Sequence, residues 1–579
     1  MKIQHLLLII VSTAGLLGCQ AGRESDRVPA GDYADTVLNN ARIYTVDVFR
    51  PWAEAVAVRD GEIVYVGDES GAVAYVGPDT TRHDLMGKLV LPGLIDGHTH
   101  PGMVGLSHGE LLLPDVESKE ELLSAIARLV AENPDIPVLR AGYWANELFD
   151  ENGPHKADLD RIVSDRPILL SDFWGHSFWV NSRALELGGV DRNTPDPIPG
   201  LAFYRRDATG EATGWITESA ASAFVGKFNK PTEATEEHVL RFLEFLSDRG
   251  VTTLLDAGNF GPDDQIYAII AKLEKEGRLP VRYHGSYTLF LPDQLPGAIQ
   301  ELKQLRRTYS GERIRINTIK LFLDGVLEIR TASVLEPYLD DPDNRGHLLL
   351  TQDQIRDLIL ELHEEKIDLH VHTVGGNAIK STLDAVEEAQ RHLGVSLNTR
   401  VTLCHLEAMD DADINRFKDL GVVANFTPHW HGGDVSALLP IVGERALNMM
   451  RAQPLLSDGA VVTFSSDITV ESEYTSERAN PFVGMQIGHN KQDFEGGAGA
   501  PLRPPQSERL SLENLVKGYT INAAYQLRLD DRLGSIEVGK IADLIVLDQN
   551  LFEVDRYEIH KIKPEAVFMA GELIRGGLE

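Results

Sequence analysis

Six apolar runs in this 579-residue chain each end in a residue that binds metals or moves protons. LVLPGLIDGHTH ends at His98 and His100, VTTLLD at Asp256 and INTIK at Lys320. LHVH ends at His372, VTLCH at His405 and VVTFSSD at Asp467. Imidazoles and carboxylates are ligands for divalent first-row ions. A carboxylate or lysine beside such an ion is placed to handle protons. One such run ending is unremarkable, because a buried histidine or a capping aspartate is the common explanation. Six of them gathered at one place would form a reaction centre.

The elements between these runs say how they gather. Ser118 with Glu121 is a capping box that opens a helix running to about Glu132. Val239, Phe242, Leu243 and Leu246 follow helical spacing, Gly250 closes that helix, and VTTLLD reads as a buried strand. Thr351 with Gln354 caps a further helix that leads into IDLHVH. Repeated β-α units predict a parallel sheet covered on both faces. In a (β/α)₈ barrel the C-terminal strand ends form one ring around the active site. The predicted fold is therefore α/β, a distorted TIM barrel over 92–532. Residues 100–240 break the repeat and read as an insertion after the first barrel strand. They hold Trp144, Trp174, Trp179 and Trp215, most of which are expected in the insertion's own core.

Both chain ends read as β. Val56 and Val58, Asp60-Gly61, then Ile63, Val64 and Val66 predict a hairpin with a favoured turn dipeptide. IADLIVL (541–547) and Ala566 to Met569 have the same character. Residues 36–91 and 533–579 are expected to build one composite β-sandwich domain. Residues 1–18 place Lys2 before an apolar stretch, the layout of a secretory signal. Leu16-Leu17-Gly18-Cys19 resembles a bacterial lipobox, implying cleavage before Cys19 and its lipidation. Residues 19–35 then serve as a flexible tether. Gln20 in place of Asp favours the outer membrane, facing the periplasm. The net charge of −33 argues against a nucleic-acid partner, which needs a basic face. Membrane contact is expected only through the lipid. Two cysteines, Cys19 and Cys404, exclude a disulfide framework and a thiolate zinc cluster.

PGLIDGHTH (92–100), WGHSFWVNSRAL (174–185), RDATGEATGWITESA (206–220), IKLFLDG (319–325), ERLSLENLVKGYTINAA (508–524) and LGSIEVGKIADLIVLD (533–548) resemble the metal-dependent amidohydrolase superfamily. The resemblance is to the long branch that includes N-substituted formamide deformylase, and it runs along nearly all of residues 36–579. It implies the same barrel and β-sandwich, and a hydrolase of carbon–nitrogen bonds other than peptide bonds, with amide, N-acyl or N-formyl small molecules as substrates.

His98 and His100, at i and i+2 of an extended strand end, point the same way, so both can reach one metal. By the resemblance His372 and His405 form a second histidine pair. Asp467 resembles the family's last-strand aspartate, which implies that it binds metal and takes the proton of the attacking, metal-activated water. The same aspartate can pass that proton to the leaving amine. Lys320 is puzzling as an ammonium beside a cation. The resemblance implies a carbamylated Lys320 bridging two ions, zinc first among several divalent candidates; the alternative is a charged Lys320 paired with Asp324 or another carboxylate. His176 and His429 are expected near the substrate, with His431 beside the latter. Asp256 faces the pocket or caps a turn. Cys404, by strand alternation, should point away from the metals into the core. A homodimer is a family-level expectation.

Some positions depart from the family pattern. His372-Thr373-Val374-Gly375-Gly376 lacks the carboxylate of the usual His-x-x-Gly-Asp. Ser465-Ser466-Asp467-Ile468-Thr469-Val470 replaces Gly-Ser-Asp-x-Pro-Val. The usual arginine after the next helix is missing, with His489 and Lys491 nearby. The departures fall on groups expected to touch substrate, so the deformylase substrate does not transfer. The rival readings are a mononuclear deaminase or esterase of the same fold, and a lipid-anchored binding protein without chemistry.

Overall fold

Local signals set most of the elements. The computed structural model describes residues 33–150, 152–228 and 230–578; the expected signal segment, Cys19 and most of the tether lie outside the described residues. Strands Ala55–Arg59 and Glu62–Gly67 pair antiparallel around Asp60 and Gly61, both at positive φ as a tight hairpin turn requires. The Ser118 hydroxyl accepts from the Glu121 amide at 3.3 Å and starts helix Lys119–Glu132. Thr351 and Gln354 cap Gln352–Glu365 reciprocally. Helix Glu233–Asp248 buries Val239, Phe242, Leu243 and Leu246. Each of those side chains is worth about 1.5–3 kcal/mol against the core.

Eight strands form one parallel sheet. We label them β1 (Leu94–Thr99), β2 (Val251–Asp256), β3 (Arg282–Leu289), β4 (Ile314–Phe322), β5 (Asp368–Thr373), β6 (Val401–His405), β7 (Val423–Phe426) and β8 (Val462–Phe464). They lie side by side in chain order from β1 to β8. The ring is completed just past β8, where the Asp467 amide donates to the His98 carbonyl at 2.8 Å and the His100 amide to that of Ile468 at 3.1 Å. The eighth segment thus meets the first at the two positions that carry His98 and Asp467. This is a distorted TIM barrel.

Between β1 and β2 the chain builds a second sheet of six short strands, from Leu111–Leu112 to Ala212–Thr217. Trp144 and Trp179 are buried in its core, whereas Trp174 is exposed. The chain ends supply two further sheets. One joins 544–547 and 564–576 to Leu89–Pro92, Arg42–Tyr44 and Trp52–Ala53. Their shared core mixes Leu38, Ile43, Val56 and Val90 with Ile536, Leu544 and Phe568. Among the described residues no helix is long and apolar enough to cross a membrane.

Candidate metal centre and active site

The C-terminal ends of β1, β4, β5, β6 and β8 converge on one buried cluster. The Nε2 atoms of His98 and His100 are 3.2 Å apart, and each lies 3.2 Å from Oδ1 of Asp467. The second oxygen of Asp467 is 3.4 Å from Nδ1 of His405. The His405 ring is 5.1 Å from that of His98 and 4.4 Å from that of His372. Nζ of Lys320 lies 3.3 Å from Nε2 of His98. The six residues singled out as ligands therefore form one contiguous group.

Hydrogen bonds fix which nitrogens are available. His100 Nδ1 lies 2.8 Å from the Gly258 carbonyl, so it carries the proton and Nε2 presents a lone pair to Asp467. His372 Nε2 faces the Gly325 carbonyl at 3.3 Å, which leaves its Nδ1 as the lone pair. His372 also stacks on Phe322 at 4.2 Å. Nδ1 of His405 has no hydrogen-bond partner. Burial, and then the Lys320 charge, push His98 down to about 3. Burial likewise holds His372 and His405 well below the usual imidazole range. Burial works to raise Asp467, but the imidazoles of His98, His100 and His405 outweigh it and hold the carboxylate ionised. Neutral imidazole lone pairs and an ionised carboxylate face one another across about one ion's width. That donor set fits a divalent cation.

One expectation and one alternative are overturned here. Cys404 does not point away from the centre. Its Sγ lies 3.3 Å from Lys320 Nζ and within 4.8 Å of ring nitrogens of His98 and His405. Cys404 is in register with His372 on β5 and shares its inward face, while the positive φ of His405 and Leu406 turns His405 into the centre as well, so simple alternation fails between the two. Lys320 does not pair with Asp324. That carboxylate accepts instead from the amides of Ser333, Val374 and Gly375 at 2.9–3.1 Å. No carboxylate lies within 4.0 Å of Lys320 among the described residues.

His370 was not anticipated, although it sits two residues before His372 on β5 and so shares its face. Its Nε2 is 3.0 Å from His98 Nδ1, which orients the His98 ring. Replacing His370 by Ala should weaken metal affinity by about 10–100-fold, read by chelator competition. Unchanged affinity would remove His370 from the supporting shell. Asp96 is a second supporting residue. It accepts from the amide and hydroxyl of Ser466, at 3.1 and 2.5 Å, and so ties β1 to the segment that carries Asp467.

His176 lies beside the cluster, its ring 5.6 Å from those of His372 and Phe322. Its Nδ1 is 2.8 Å from Glu218. Burial opposes its protonation, but Glu218, with Asp172 and Glu328 behind it, lifts the imidazole to about 9. His429 sits on the segment Pro428–Gly432 and is pushed down to about 3 by burial and Arg478. The adjoining Trp430 stacks on His405 at 5.4 Å. Glu328 and Glu407, buried on separate loops, are both pushed up by burial, Glu328 further by its proximity to Glu407. Gly376, where the family pattern has Asp, has no room for a side chain: a Cβ there would lie 2.8 Å from the Ala408 carbonyl.

Asp256 turns out to organise a turn. It accepts from Tyr283 Oη at 2.7 Å, from Asn259 Nδ2 at 3.0 Å and from the Gly258 amide at 3.0 Å. Nearby Asp263 is lifted to about 7 by burial, opposed by its bond from Asn259. The folded state then binds the extra proton between about pH 4 and 7, and stability falls as pH rises through that window. Asp263→Asn should melt with the parent near pH 4 and above it at pH 8, by about 2–4 kcal/mol. A constant difference across pH would sink this account.

Fold and site together define a metal-dependent hydrolase barrel. The chain belongs to the amidohydrolase family, whose model matches residues 83–575. It is an enzyme of the class that hydrolyses carbon–nitrogen bonds. It is 33% identical over 407 residues to the exoenzymes regulatory protein AepA of Pectobacterium carotovorum, covering 69% of this chain and 86% of that one. It is 25% identical over 555 residues to N-substituted formamide deformylase of Arthrobacter pascens, covering 93% and 98%. Among solved structures, a metal-dependent hydrolase from Pyrococcus furiosus superposes with a TM-score of 0.64 at 26% identity, covering 89% of this chain and 99% of that one.

Proposed function

We propose that the protein hydrolyses the amide bond of small N-acyl or N-formyl compounds, with His98, His100, Lys320, His372, His405 and Asp467 as the metal-binding set. The observation that carries this reading is the meeting of His98 Nε2, His100 Nε2 and Asp467 Oδ1, each 3.2 Å from the other two. Two imidazole nitrogens and a carboxylate oxygen so placed offer one divalent cation three ligand atoms at once. A divalent ion held there supplies Lewis acidity toward a substrate carbonyl and acidifies water.

The chain's own groups account for the rest. Asp467, ionised and at the centre of the cluster, takes the proton of the attacking water and returns it to the leaving amine. His405, on whose ring Trp430 stacks, closes the other side of Asp467. His176, held as imidazolium by Glu218, has its second N–H free for the substrate carbonyl oxygen. His429 borders the same space. Phe322 and Trp430 flank the histidines and exclude water. Lys320 is buried with no carboxylate partner, and an uncompensated ammonium there is costly. Carbamylation by CO₂ would remove that cost and give Lys320 an anionic oxygen ligand, which supports a two-ion centre. By the lipobox-like segment we further infer export and anchoring through Cys19.

Metal content per chain, measured without chelator and with bicarbonate present, tests the centre. The expectation is about two equivalents, falling to about one in Lys320→Ala. One equivalent indifferent to Lys320 would replace this reading by the mononuclear one. Release of free amine from a panel of N-formyl and N-acyl amines tests the reaction. Binding without product from the fully loaded protein would leave only a binding role.

A further inference from the structure

Behind the loop that carries Trp430 lies a second buried cluster of cationic and donor groups, none of which has a carboxylate within 4.0 Å among the described residues. Lys491 follows helix Pro481–Asn490 and is 0% exposed, and its Nζ makes no hydrogen bond. His431 is 1% exposed and neither ring nitrogen has a partner. Arg503 is 6% exposed; one Nη donates to the Trp430 carbonyl at 3.0 Å, while Nε is unpartnered.

The backbone brings the three together. The Arg503 amide donates to the Lys491 carbonyl at 2.8 Å. A Cβ on Gly433 would lie 3.5 Å from Arg503 Nη1, and one on Gly432 only 2.7 Å from the Asp493 amide. The segment after His431 therefore packs on Arg503 and on the backbone just past Lys491. Each group also feels the others. Burial and then Arg503 push Lys491 down to about 8, and burial followed by Lys491 and Arg503 holds His431 well below its usual range.

The nearby carboxylates are committed elsewhere or too far away. Glu508 accepts from the Gln453 amide at 2.8 Å and lies 3.7 Å from Arg451. Asp434 binds Ser436. Glu328 and Glu407 act on Arg503 only at a distance. Among the described residues no carboxylate is within 4.0 Å of Lys491 or Arg503. A buried water would satisfy donors but not charge.

We propose that His431, Lys491 and Arg503 hold a small inorganic monoanion, chloride in size and charge. All three residues are nine-tenths or more buried, so an ion held there is shielded from bulk water. The ion would tie the segment Pro428–Gly432 to the end of helix Pro481–Asn490. It would thereby hold Trp430 against His405. This site is independent of the hydrolase reading, and neither depends on the other's outcome.

Long-wavelength diffraction from crystals of the metal-loaded protein grown in chloride tests it. The expected result is an anomalous peak among the three side chains, comparable with the sulfur of Cys404, and its replacement by a stronger one when bromide is the only halide throughout purification. A peak-free site, or density without anomalous signal, overturns the proposal. Thermal unfolding in chloride against gluconate at equal ionic strength separates a held ion from a passing one. A saturable rise of about 2–5 °C in chloride is expected, abolished in Lys491→Met. Equal melting in both salts would mean an adventitious ion only and would also overturn the proposal. If Lys491→Met fails to fold, the two measurements on the unaltered protein still decide.

Discussion

Asp467→Asn is expected to lower kcat/KM for any amide the enzyme turns over by about 10²–10⁴-fold, the usual contribution of a positioned acid–base group. The amide keeps the size of the carboxylate and the backbone bond from the Asp467 amide to the His98 carbonyl, so the barrel should melt normally. It cannot accept the proton of the attacking water, and it removes the negative charge that His98, His100 and His405 surround. Turnover within tenfold of the parent, with metal content unchanged, would mean that another group is the base. Glu473 would then be the first to examine, being half-buried just beyond Asp467 and lifted to about 7 by desolvation.

Asp324→Ala is the variant expected to cost the most stability. The Asp324 carboxylate is fully buried and accepts from three backbone amides, at Ser333, Val374 and Gly375. It therefore joins the segment after β4 to the segment after β5. Alanine leaves three buried N–H groups without acceptors, at about 1–3 kcal/mol each. A fall in melting temperature of roughly 5–10 °C or more should follow. Asp324→Asn, which keeps an acceptor oxygen, should recover part of it. Equal melting of the parent and the alanine variant would show that these amides find other partners. Because Gly375 lies three residues beyond His372, activity should fall with stability.

Much of this molecule is set by short-range rules. The capping residues Ser118 and Thr351, the Asp60-Gly61 turn, and the alternation of His98 with His100 need only neighbours a few residues away, so sequence suffices to place them. Apolar runs that end in chemically active residues are likewise local, and a parallel barrel is the architecture that gathers such ends. The tertiary structure decided what depends on chain crossings. Cys404 faces Lys320 while its neighbour His405 also reaches the centre, because the backbone turns to positive φ at His405, a departure that alternation cannot foresee. Asp324, four residues from Lys320, is taken by amides up to 51 residues away. His370 became a supporting residue only once β5 was placed so as to bring it to His98. Glu328, Glu407 and Arg503 come from three distant loops, as do His431 and Lys491. None of them carries a local pattern, since charge and burial at such positions depend on which loops the barrel brings together.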